Sequence, residues 1–267
     1  MNSKFRRGAI AQQLADAGEA YITPLAESFR TSEMTIRRDL DLLVMEGLAR
    51  RIRGGAISIQ SSSFDPPVLH RSSIGIEAKR AIARAAVAQL HPNETVVVDG
   101  GTTTHEFAKA IPDDFPLIVL TSSLLIVSEL NTKSSITVMV SGGTVRADEL
   151  SLVGQRALDS YKDLNCDSLF MSVAGISLDK GLTDPNLDDS YVKRAAMNSV
   201  RRVVVLADAS KIDHVALVNV APISRIDLLI TNASPDNYTI AAIRDQGVEV
   251  LHVEPFHVEP FHVEPFH

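Results

Sequence analysis

The sequence of 267 residues lacks features that several classes of protein need. Its one cysteine, Cys166, rules out a disulfide within the chain and a zinc site built from cysteines, so we expect a reducing compartment, the cytoplasm. No window reaches the roughly 18 apolar residues of a membrane span, and the first residues have no apolar core of signal length. We therefore expect a soluble protein with no membrane partner. Neither GxxxxGK nor GxGxxG occurs, which argues against a nucleotide triphosphate or a dinucleotide as ligand.

What the sequence does contain is a large apolar fraction and an uneven distribution of charge. Hydrophobic residues make up 45% of the chain, enough for a sizeable core, and the length favours two domains. Residues 1–57 hold nine Lys/Arg against seven Asp/Glu, whereas the remainder holds 17 against 26. A small basic segment is typical of binding to a phosphate backbone, although basic residues also solvate helices that bind nothing. The charge therefore favours nucleic acid as a partner of the N-terminal segment alone.

Three helical patterns occupy the first 47 residues. In the third, Ile36, Leu40 and Leu43 form an inward stripe, which leaves Arg37 and Arg38 pointing outward. The helix boundaries carry the usual signals, namely Gly18 after the first helix, Thr23 as cap and Pro24 as first residue of the second, Ser32 as cap of the third and Gly47 after it.

A tight connection around Arg30 and Thr31 joins the second and third helices, which predicts a helix-turn-helix. Two short alternating runs, 48–52 and 56–59, flank Gly54-Gly55, and this pair suits a hairpin turn that needs positive φ. The hairpin would form a wing. In such a module the third helix reads base edges while arginines of the wing meet phosphates or the minor groove. A winged helix that contacts protein instead of DNA is the alternative.

The stretch AYITPLAESFRTSEMTIRRDLDLLVMEGLARRIRGGA resembles the winged helix-turn-helix of the DeoR family of bacterial sugar-responsive transcriptional regulators. The resemblance covers residues 6–57 and centres on TIRRDL, a following Gly and a terminal RxxGGA-like turn. Glu33 and Met34 lie where members of the family vary, so they are expected to tune the choice of operator. The resemblance implies DNA contacts by residues of the recognition helix and wing, namely Ser32, Met34, Thr35, Arg37, Arg38, Arg51 and Arg53.

Beyond this segment the composition and the apolar pattern of the chain change. Ser58 to Glu77 is rich in Ser, Pro and Gly without a sustained period, which predicts a mobile connection. The apolar runs TVVVD, LIVLT, ITVMV, SLFMSVA, RVVVLAD and IDLLIT then alternate with helical patterns, which predicts an α/β domain with a mostly parallel sheet covered on both faces. The predicted domains are a winged helix-turn-helix over 1–57, a linker over 58–76, an effector-binding domain over 77–253 and a tail over 254–267.

Glycine and hydroxyl residues gather where three predicted strands end. Ligands of open α/β sheets bind at these ends, where glycine amides, hydroxyls and a helix N-terminus suit a phosphate. Each turn alone is an ordinary strand-to-helix connection, but their convergence favours a small phosphorylated ligand. Lys211 in LADASK is expected to add a positive charge, the alternative being an exposed loop lysine. The predicted site comprises Asp99, Gly100, Gly101, Thr102, Thr103 and Thr104; Thr121, Ser122 and Ser123; Gly142 and Gly143; and Lys211.

This half resembles the DeoR-type C-terminal sensor domain, and through it the fold of ribose-5-phosphate isomerase. The matching pieces, from Glu77 to about Val253, are EAKRAIARAA, VVVDGGTTTHEFAKAI, LTSSLLIVSEL, VSGGTV, AGISLDKGLTD and LADASK. The resemblance implies a site for a phosphorylated sugar effector. The chain departs from the family at Asp188-Asp189-Ser190, where many members have a Glu, which leaves the role of that acid open.

An enzyme is the alternative from a different class. A sugar-phosphate isomerase needs a carboxylate base, and the candidates are Asp99, Asp148, Glu149 and Asp208. None has a sequence context that fixes it in that role, so we expect no catalytic residue and no cofactor.

The chain ends in three HVEPF repeats and a final histidine. The five-residue step does not align histidines on one helix face, and each proline blocks a helix. Metal capture by His252, His257, His262 and His267 is an alternative, but a low-complexity extension is favoured and no metal is expected. Taken together, the residues predict a repressor of a carbohydrate-utilisation operon that binds double-stranded operator DNA as a homodimer or homotetramer.

Overall fold

The computed structural model of the protein describes residues 3–45, 48–58 and 68–254. The chain divides into two compact units, residues 1–70 and residues 71–267. The predicted helix end at Gly47, linker residues 59–67 and tail residues 255–267 lie outside the described residues.

The first unit contains the three predicted helices and a small antiparallel sheet of order β1-β3-β2. Ile10 and Leu14 of the first helix pack with Leu25, Ile36 and Leu40 in one apolar core. Arg30, in the turn between the second and third helices, has φ of 48°. The predicted helix-turn-helix with a wing is therefore confirmed, and its elements are α1 (Ser3–Ala17), β1 (Glu19–Tyr21), α2 (Ile22–Ser28), α3 (Glu33–Met45), β2 (Ala49–Ile52) and β3 (Gly55–Ser58).

Two details of this unit differ from the sequence prediction. Thr23 does not cap α2, because the helix already begins at Ile22, and the Thr23 hydroxyl donates to Glu33 Oε1 at 2.7 Å instead. Of the pair Gly54-Gly55, only Gly54 has positive φ, at 81°, whereas Gly55 is the first residue of β3. A Cβ on Gly55 would lie 2.3 Å from the carbonyl oxygen of Ala20 on β1, a strand that the sequence did not predict. Gly55 is therefore needed for close strand approach rather than for the turn.

The second unit is an α/β structure. A short helix, α4 (Val68–Arg71), lies within the predicted linker, and α5 begins at Ile76. The remaining elements are α5 (Ile76–Val87), β4 (Thr95–Val98), α6 (Thr102–Ala110), β5 (Leu117–Thr121), α7 (Leu124–Leu130), β6 (Ile136–Val140), β7 (Thr144–Arg146), β8 (Ser151–Val153), α8 (Gln155–Asp159), β9 (Cys166–Met171), β10 (Gly175–Ser177), β11 (Gly181–Asp184), α9 (Leu187–Asn198), β12 (Val200–Leu206), β13 (Val218–Ala221), β14 (Leu228–Thr231), α10 (Tyr238–Asp245) and β15 (Glu249–His252).

Seven of these strands form the main sheet, in the order β15-β14-β12-β9-β4-β5-β6, and every neighbouring pair is parallel. One apolar core, on the side of α5, α6 and α7, includes Ile82, Phe107 and Ile126. The other, on the side of α8, α9 and α10, includes Val192 and Ile240. Helices cover both faces because the crossover between parallel strands must pass over the sheet. The predicted fold class is confirmed.

Two smaller sheets were not predicted. Strands β10, β11 and β13 form an antiparallel sheet, and β7 and β8 form a hairpin. The segment AGISLDKGLTD supplies β10 and β11, so Asp184 comes to the end of a strand outside the main sheet. Within the described part of the chain, no helix is long and apolar enough to cross a membrane.

Candidate DNA-binding surface and ligand site

Helix α3 presents a polar face to solvent and an apolar face to its core. Ile36, Leu40 and Leu43 are buried. Met34, Arg37 and Arg38 are exposed, as the inward stripe predicted. The guanidinium of Arg37 lies 3.6 Å from the Glu33 carboxylate, and both side chains are about half exposed. An ion pair in such a position is weak, so the arginine can exchange it for another anion.

A buried ion pair holds α3 against α1. Arg6 Nε donates to Asp39 Oδ2 at 2.5 Å, and both side chains are at most one-tenth exposed. Removing either partner would leave a buried charge alone, so the pair specifies how the two helices meet. The pair could not be predicted from the sequence, because the partners are 33 residues apart and no local pattern joins them.

The hydroxyls and arginines predicted to contact DNA also have local roles. Ser32 Oγ accepts from the Thr35 amide at 3.2 Å and lies 2.9 Å from the Thr35 hydroxyl, so Ser32 caps α3 as predicted. On the wing, Arg51 Nε lies 3.2 Å from Asp41 Oδ1, which links the hairpin to α3. Arg53, in the hairpin turn, is exposed. Contact of these residues with DNA remains a prediction.

In the second unit, the turn after β4 brings together the first group of predicted ligand-binding residues. Gly101 has φ of 152°, and a Cβ there would lie 2.0 Å from Ser172 Oγ, so only glycine fits. Thr102 and Thr103 begin α6 and are 8% and 5% exposed. Among the described residues their hydroxyls have no side-chain hydrogen bond, whereas the Thr104 hydroxyl donates to the carbonyl oxygen of Gly101. The start of α6 thus offers two hydroxyls and the free amides of a helix N-terminus.

The other two predicted turns are used largely for internal contacts. Thr121 Oγ1 accepts from the Ser123 amide, Ser123 Oγ caps α7 by accepting from the Ile126 amide, and Ser122 interacts with buried Tyr161.

Gly142 and Gly143 pack closely against α8 and β8, where a Cβ on Gly143 would lie 2.5 Å from the Val153 carbonyl oxygen. Next to them, Ser141 Oγ is buried with no partner in the described part of the chain. Ligand binding at these two turns remains a prediction.

Two lysines bring positive charge to the end of β12. Lys211 lies in a 3-10 turn, Ala209–Lys211, that Asp208 caps by accepting from the Ser210 amide. Burial lowers the pKa of Lys211, and the attraction of Asp208 does not compensate. Burial likewise lowers the pKa of Lys79, on α5, to about 8 despite the charge of Asp208. Lys79 Nζ donates to the carbonyl oxygen of Arg71 at 2.6 Å.

The sequence analysis did not identify Lys79. A signal was present, because Lys79 stands three and four residues before buried Ile82 and Ala83. It therefore occupies the first position of the apolar stripe of α5, where a lysine is costly unless it has a partner or a ligand.

A buried cluster centred on Lys193 lies beside the turn after β4. The ammonium of Lys193, on α9, donates to the carboxylate of Asp99 and, at 2.9 Å, to the carbonyl oxygen of Ser172. Asp184 Oδ2 lies 3.7 Å from the same nitrogen. Although burial disfavours the charge, the two carboxylates raise the pKa of Lys193 above its usual range. Burial raises the pKa of Asp184 to about 6.

The acid whose role the sequence left open is Asp189. It accepts from the Ser151 hydroxyl at 2.8 Å, and its Oδ2 forms an ion pair with Arg146, 2.7 Å from Nε. These two contacts hold the β7–β8 hairpin to the start of α9. Glu149 on the same hairpin pairs with Arg146 and Arg71. Three of the four residues suggested as bases of an enzyme thus have other contacts. Asp99 is paired with Lys193, Glu149 is paired with arginines, and Asp208 caps a turn.

The fold and these sites define a class of protein. The first unit is a winged helix-turn-helix that exposes arginines on its third helix and wing, which is the form of a DNA-binding module. The chain joins it to an α/β unit with buried cations and free hydroxyls at strand ends. This is the organisation of a DNA-binding transcriptional regulator with its own sensor domain.

Comparison with protein families identifies the regulator more closely. The DeoR-like helix-turn-helix domain matches residues 6–62, and the DeoR C terminal sensor domain matches residues 75–233. The chain belongs to the DeoR family of transcriptional regulators.

Two curated relatives extend over nearly the whole chain. The chain is 30% identical to the putative aga operon transcriptional repressor of Escherichia coli O157:H7, over 93% of each protein. It is 33% identical to the HTH-type transcriptional regulator GlpR of Haloferax volcanii, over 92% of this chain and 96% of the relative. Since these relatives are regulators, the isomerase-like alternative is set aside, and the protein is a regulator rather than an enzyme.

A likeness to ribose 5-phosphate isomerase is also found. The enzyme from Methanocaldococcus jannaschii aligns over 50% of this chain and 53% of its own, with 15% identity and a TM-score of 0.38. A likeness of this size carries no argument about function.

Proposed function

We propose that the protein represses a carbohydrate-utilisation operon and that a phosphorylated sugar bound in its second unit controls its affinity for operator DNA. The observation that carries the proposal is the pair of enclosed ammonium groups, those of buried Lys79 and half-buried Lys211, with too little negative charge nearby to keep their pKa values at the ordinary level. A phosphate would supply that charge and would favour the protonated form of both lysines.

The start of α6 supports the same ligand. Thr102 and Thr103 offer buried hydroxyls beside the first amides of a nine-residue helix, and such a terminus favours anions. Gly101 permits the close approach of backbone that this arrangement needs. Phosphate bound by these groups and the two lysines would leave the sugar to occupy the neighbouring strand ends.

In the first unit, we propose that α3 enters the major groove and that the wing contacts the backbone or minor groove. The exposure of Met34, Arg37 and Arg38 on one face of α3 supports this orientation. Two copies related by a two-fold axis would read the two halves of an operator. The name of the Escherichia coli relative, a repressor, supports the direction of control.

The test measures operator affinity of the full chain with and without each member of a panel of pentose and hexose phosphates. The operator is first selected from a pool of random duplexes. We expect one sugar phosphate to change the affinity by about 5- to 150-fold, the usual range of coupling between two sites. NMR spectra of that sugar after long incubation should show it unchanged. Steady conversion to an isomer, with operator affinity indifferent to the sugar, would contradict the proposal.

A variant separates ligand binding from DNA binding. Thr103→Glu places a carboxylate at the start of α6, where it repels phosphate, so operator binding should persist while the response to the sugar disappears. Thr132→Glu makes the same change at an exposed position and should respond as the wild type does. An equal response in Thr103→Glu would exclude the start of α6 as the phosphate site.

A further inference from the structure

The cluster of Asp99, Lys193 and Asp184 is not accounted for by phosphate binding. All three residues are buried, each less than one-tenth exposed, and they come from the end of β4, the middle of α9 and the end of β11. One ammonium between two carboxylates leaves the cluster with one net negative charge when all three are ionised. A phosphate is repelled by that charge, so this part of the site suits a neutral group of the ligand.

Asp184 has capacity to accept further hydrogen bonds. Its Oδ1 accepts one long bond, 3.3 Å from the Asn186 amide, and its Oδ2 is 3.7 Å from Lys193 Nζ, beyond hydrogen-bonding distance. A buried carboxylate is stabilised by two or three donors, and a group left short of them is costly. Burial raises the pKa of Asp184, and neither Lys193 nor the Asn186 amide offsets that effect. Sugar hydroxyls are donors of the kind that a carboxylate accepts strongly.

The cluster directly borders the turn proposed to bind phosphate. Asp99 immediately precedes Gly100, and Ser172 links both, because its amide donates to Asp99 Oδ2 at 3.3 Å and its hydroxyl donates to the carbonyl oxygen of Gly100 at 3.0 Å. A ligand with its phosphate at the start of α6 therefore meets these carboxylates with its other end.

We propose that Asp99 and Asp184, positioned by Lys193, accept hydrogen bonds from the hydroxyl groups of the ligand and so select a polyol attached to the phosphate. This inference rests on the proposed function, since it concerns the same ligand. Lys193 is a positioning residue, which keeps the two carboxylates together and ionised without touching the ligand itself.

The test compares two kinds of probe on the full chain by calorimetry. Inorganic phosphate reports the cationic part of the site alone, whereas ribose 5-phosphate, fructose 6-phosphate and glucose 6-phosphate report both parts. The wild type should bind the best of these sugar phosphates at least about tenfold more tightly than inorganic phosphate, as expected for added charge-assisted hydrogen bonds. Asp184→Asn should lose about tenfold for that sugar phosphate while its affinity for inorganic phosphate changes less than about twofold.

Two further variants test whether the loss of affinity is specific to Asp184. Asp179→Asn makes the same change on an exposed aspartate and should leave both affinities unchanged. Retained binding of inorganic phosphate shows that the variant is folded, and Asp184→Ser, which is smaller and uncharged, is a second variant with the same expected loss.

The two possible failures differ. If the wild type binds a sugar phosphate but Asp184→Asn loses nothing, or loses affinity for both probes equally, the polyol subsite is overturned and the proposed function stands. If the wild type binds neither these three nor any other member of the panel of pentose and hexose phosphates, the proposed function and the subsite are overturned together.

Discussion

The two units hold their functional charges in opposite environments. On the DNA-binding unit, Arg37, Arg38 and Arg53 are exposed and hydrated, whereas in the second unit Lys79 and Lys193 are buried among helices and strand ends. Exposed charges suit a partner that is itself a long polyanion, because binding releases counterions and needs no cavity. Buried charges suit a small ligand, because their desolvation makes binding depend on the charge and hydrogen bonds that the ligand restores. The position of the charge therefore distinguishes the two kinds of partner.

The largest effect is expected for the exposed arginines of the DNA-binding unit. Replacing both Arg37 and Arg38 with Ala should weaken operator binding by about 100- to 1000-fold, because each arginine that contacts a base or phosphate contributes roughly 1–3 kcal/mol. The slope of log affinity against log salt should become shallower by about two. Fluorescence anisotropy of a labelled operator at several salt concentrations measures both quantities.

Arg201→Ala is the control for this experiment, since Arg201 is an exposed arginine of the second unit. It should leave operator affinity unchanged. Wild-type affinity in the Arg37→Ala, Arg38→Ala double variant would mean that α3 is not the recognition helix.

A smaller effect is expected from substitutions of two glycines, one in a buried turn and one in an exposed turn. Gly101→Ala should lower the free energy of unfolding by about 2–4 kcal/mol, because its Cβ would collide with Ser172 in a buried turn. Gly54→Ala, in the exposed turn of the wing with nothing within 4 Å of the new Cβ, should cost only the roughly 1–2 kcal/mol of positive φ. Urea unfolding of the full chain measures both, and equal costs would show that the buried turn relaxes freely.

The smallest effect expected is a pH dependence of ligand affinity, which arises from a buried lysine of the second unit. With its pKa near 8, Lys79 is charged below that value in the free protein and loses its proton as the pH rises through it. Because bound phosphate favours the charged form, affinity for the sugar phosphate should fall about tenfold between pH 7 and pH 9, centred on the pKa of Lys79.

Lys79→Met should weaken binding at pH 7 and flatten the profile measured by calorimetry. Lys180→Met removes an exposed lysine and should leave the profile as it is in the wild type. A profile that keeps its full slope in Lys79→Met would assign the titration to Lys211 instead, whose pKa burial also lowers.

What could be predicted from the sequence divides in the same way, because exposed features were predicted and buried pairings were not. Helix α3 and six of the seven strands of the main sheet were predicted, because their apolar patterns are local in the sequence. The edge strand β15 was not predicted. The exposed arginines were predicted with α3, since residues between buried positions of a helix must point outward. Periodicity also identified the turn after β4 as a strand end.

The pairing of the buried charges was not predicted, because the partners are far apart in the chain. Lys193 and Asp99 are separated by 94 residues, and in the sequence SYVKRAAM the lysine looks like an ordinary surface residue of a helix. The need for Gly55 was missed for a related reason, because the strand that approaches it, β1, has only three residues and no readable alternation. Pairings of this kind are set by topology rather than by local pattern.

The order of strands in the main sheet also bears on how the chain is made. Every pairing in the sheet of the DNA-binding unit lies within residues 19–58. The interior strand β4 of the main sheet, in contrast, pairs with β9, where Val97 meets Leu169, and the edge strand β15 ends only at His252. Synthesis from the N-terminus therefore releases all of the DNA-binding unit before the ribosome has made a neighbour for each side of β4. For that interval the nascent chain can hold a folded DNA-binding unit while the unit that would regulate it does not yet exist.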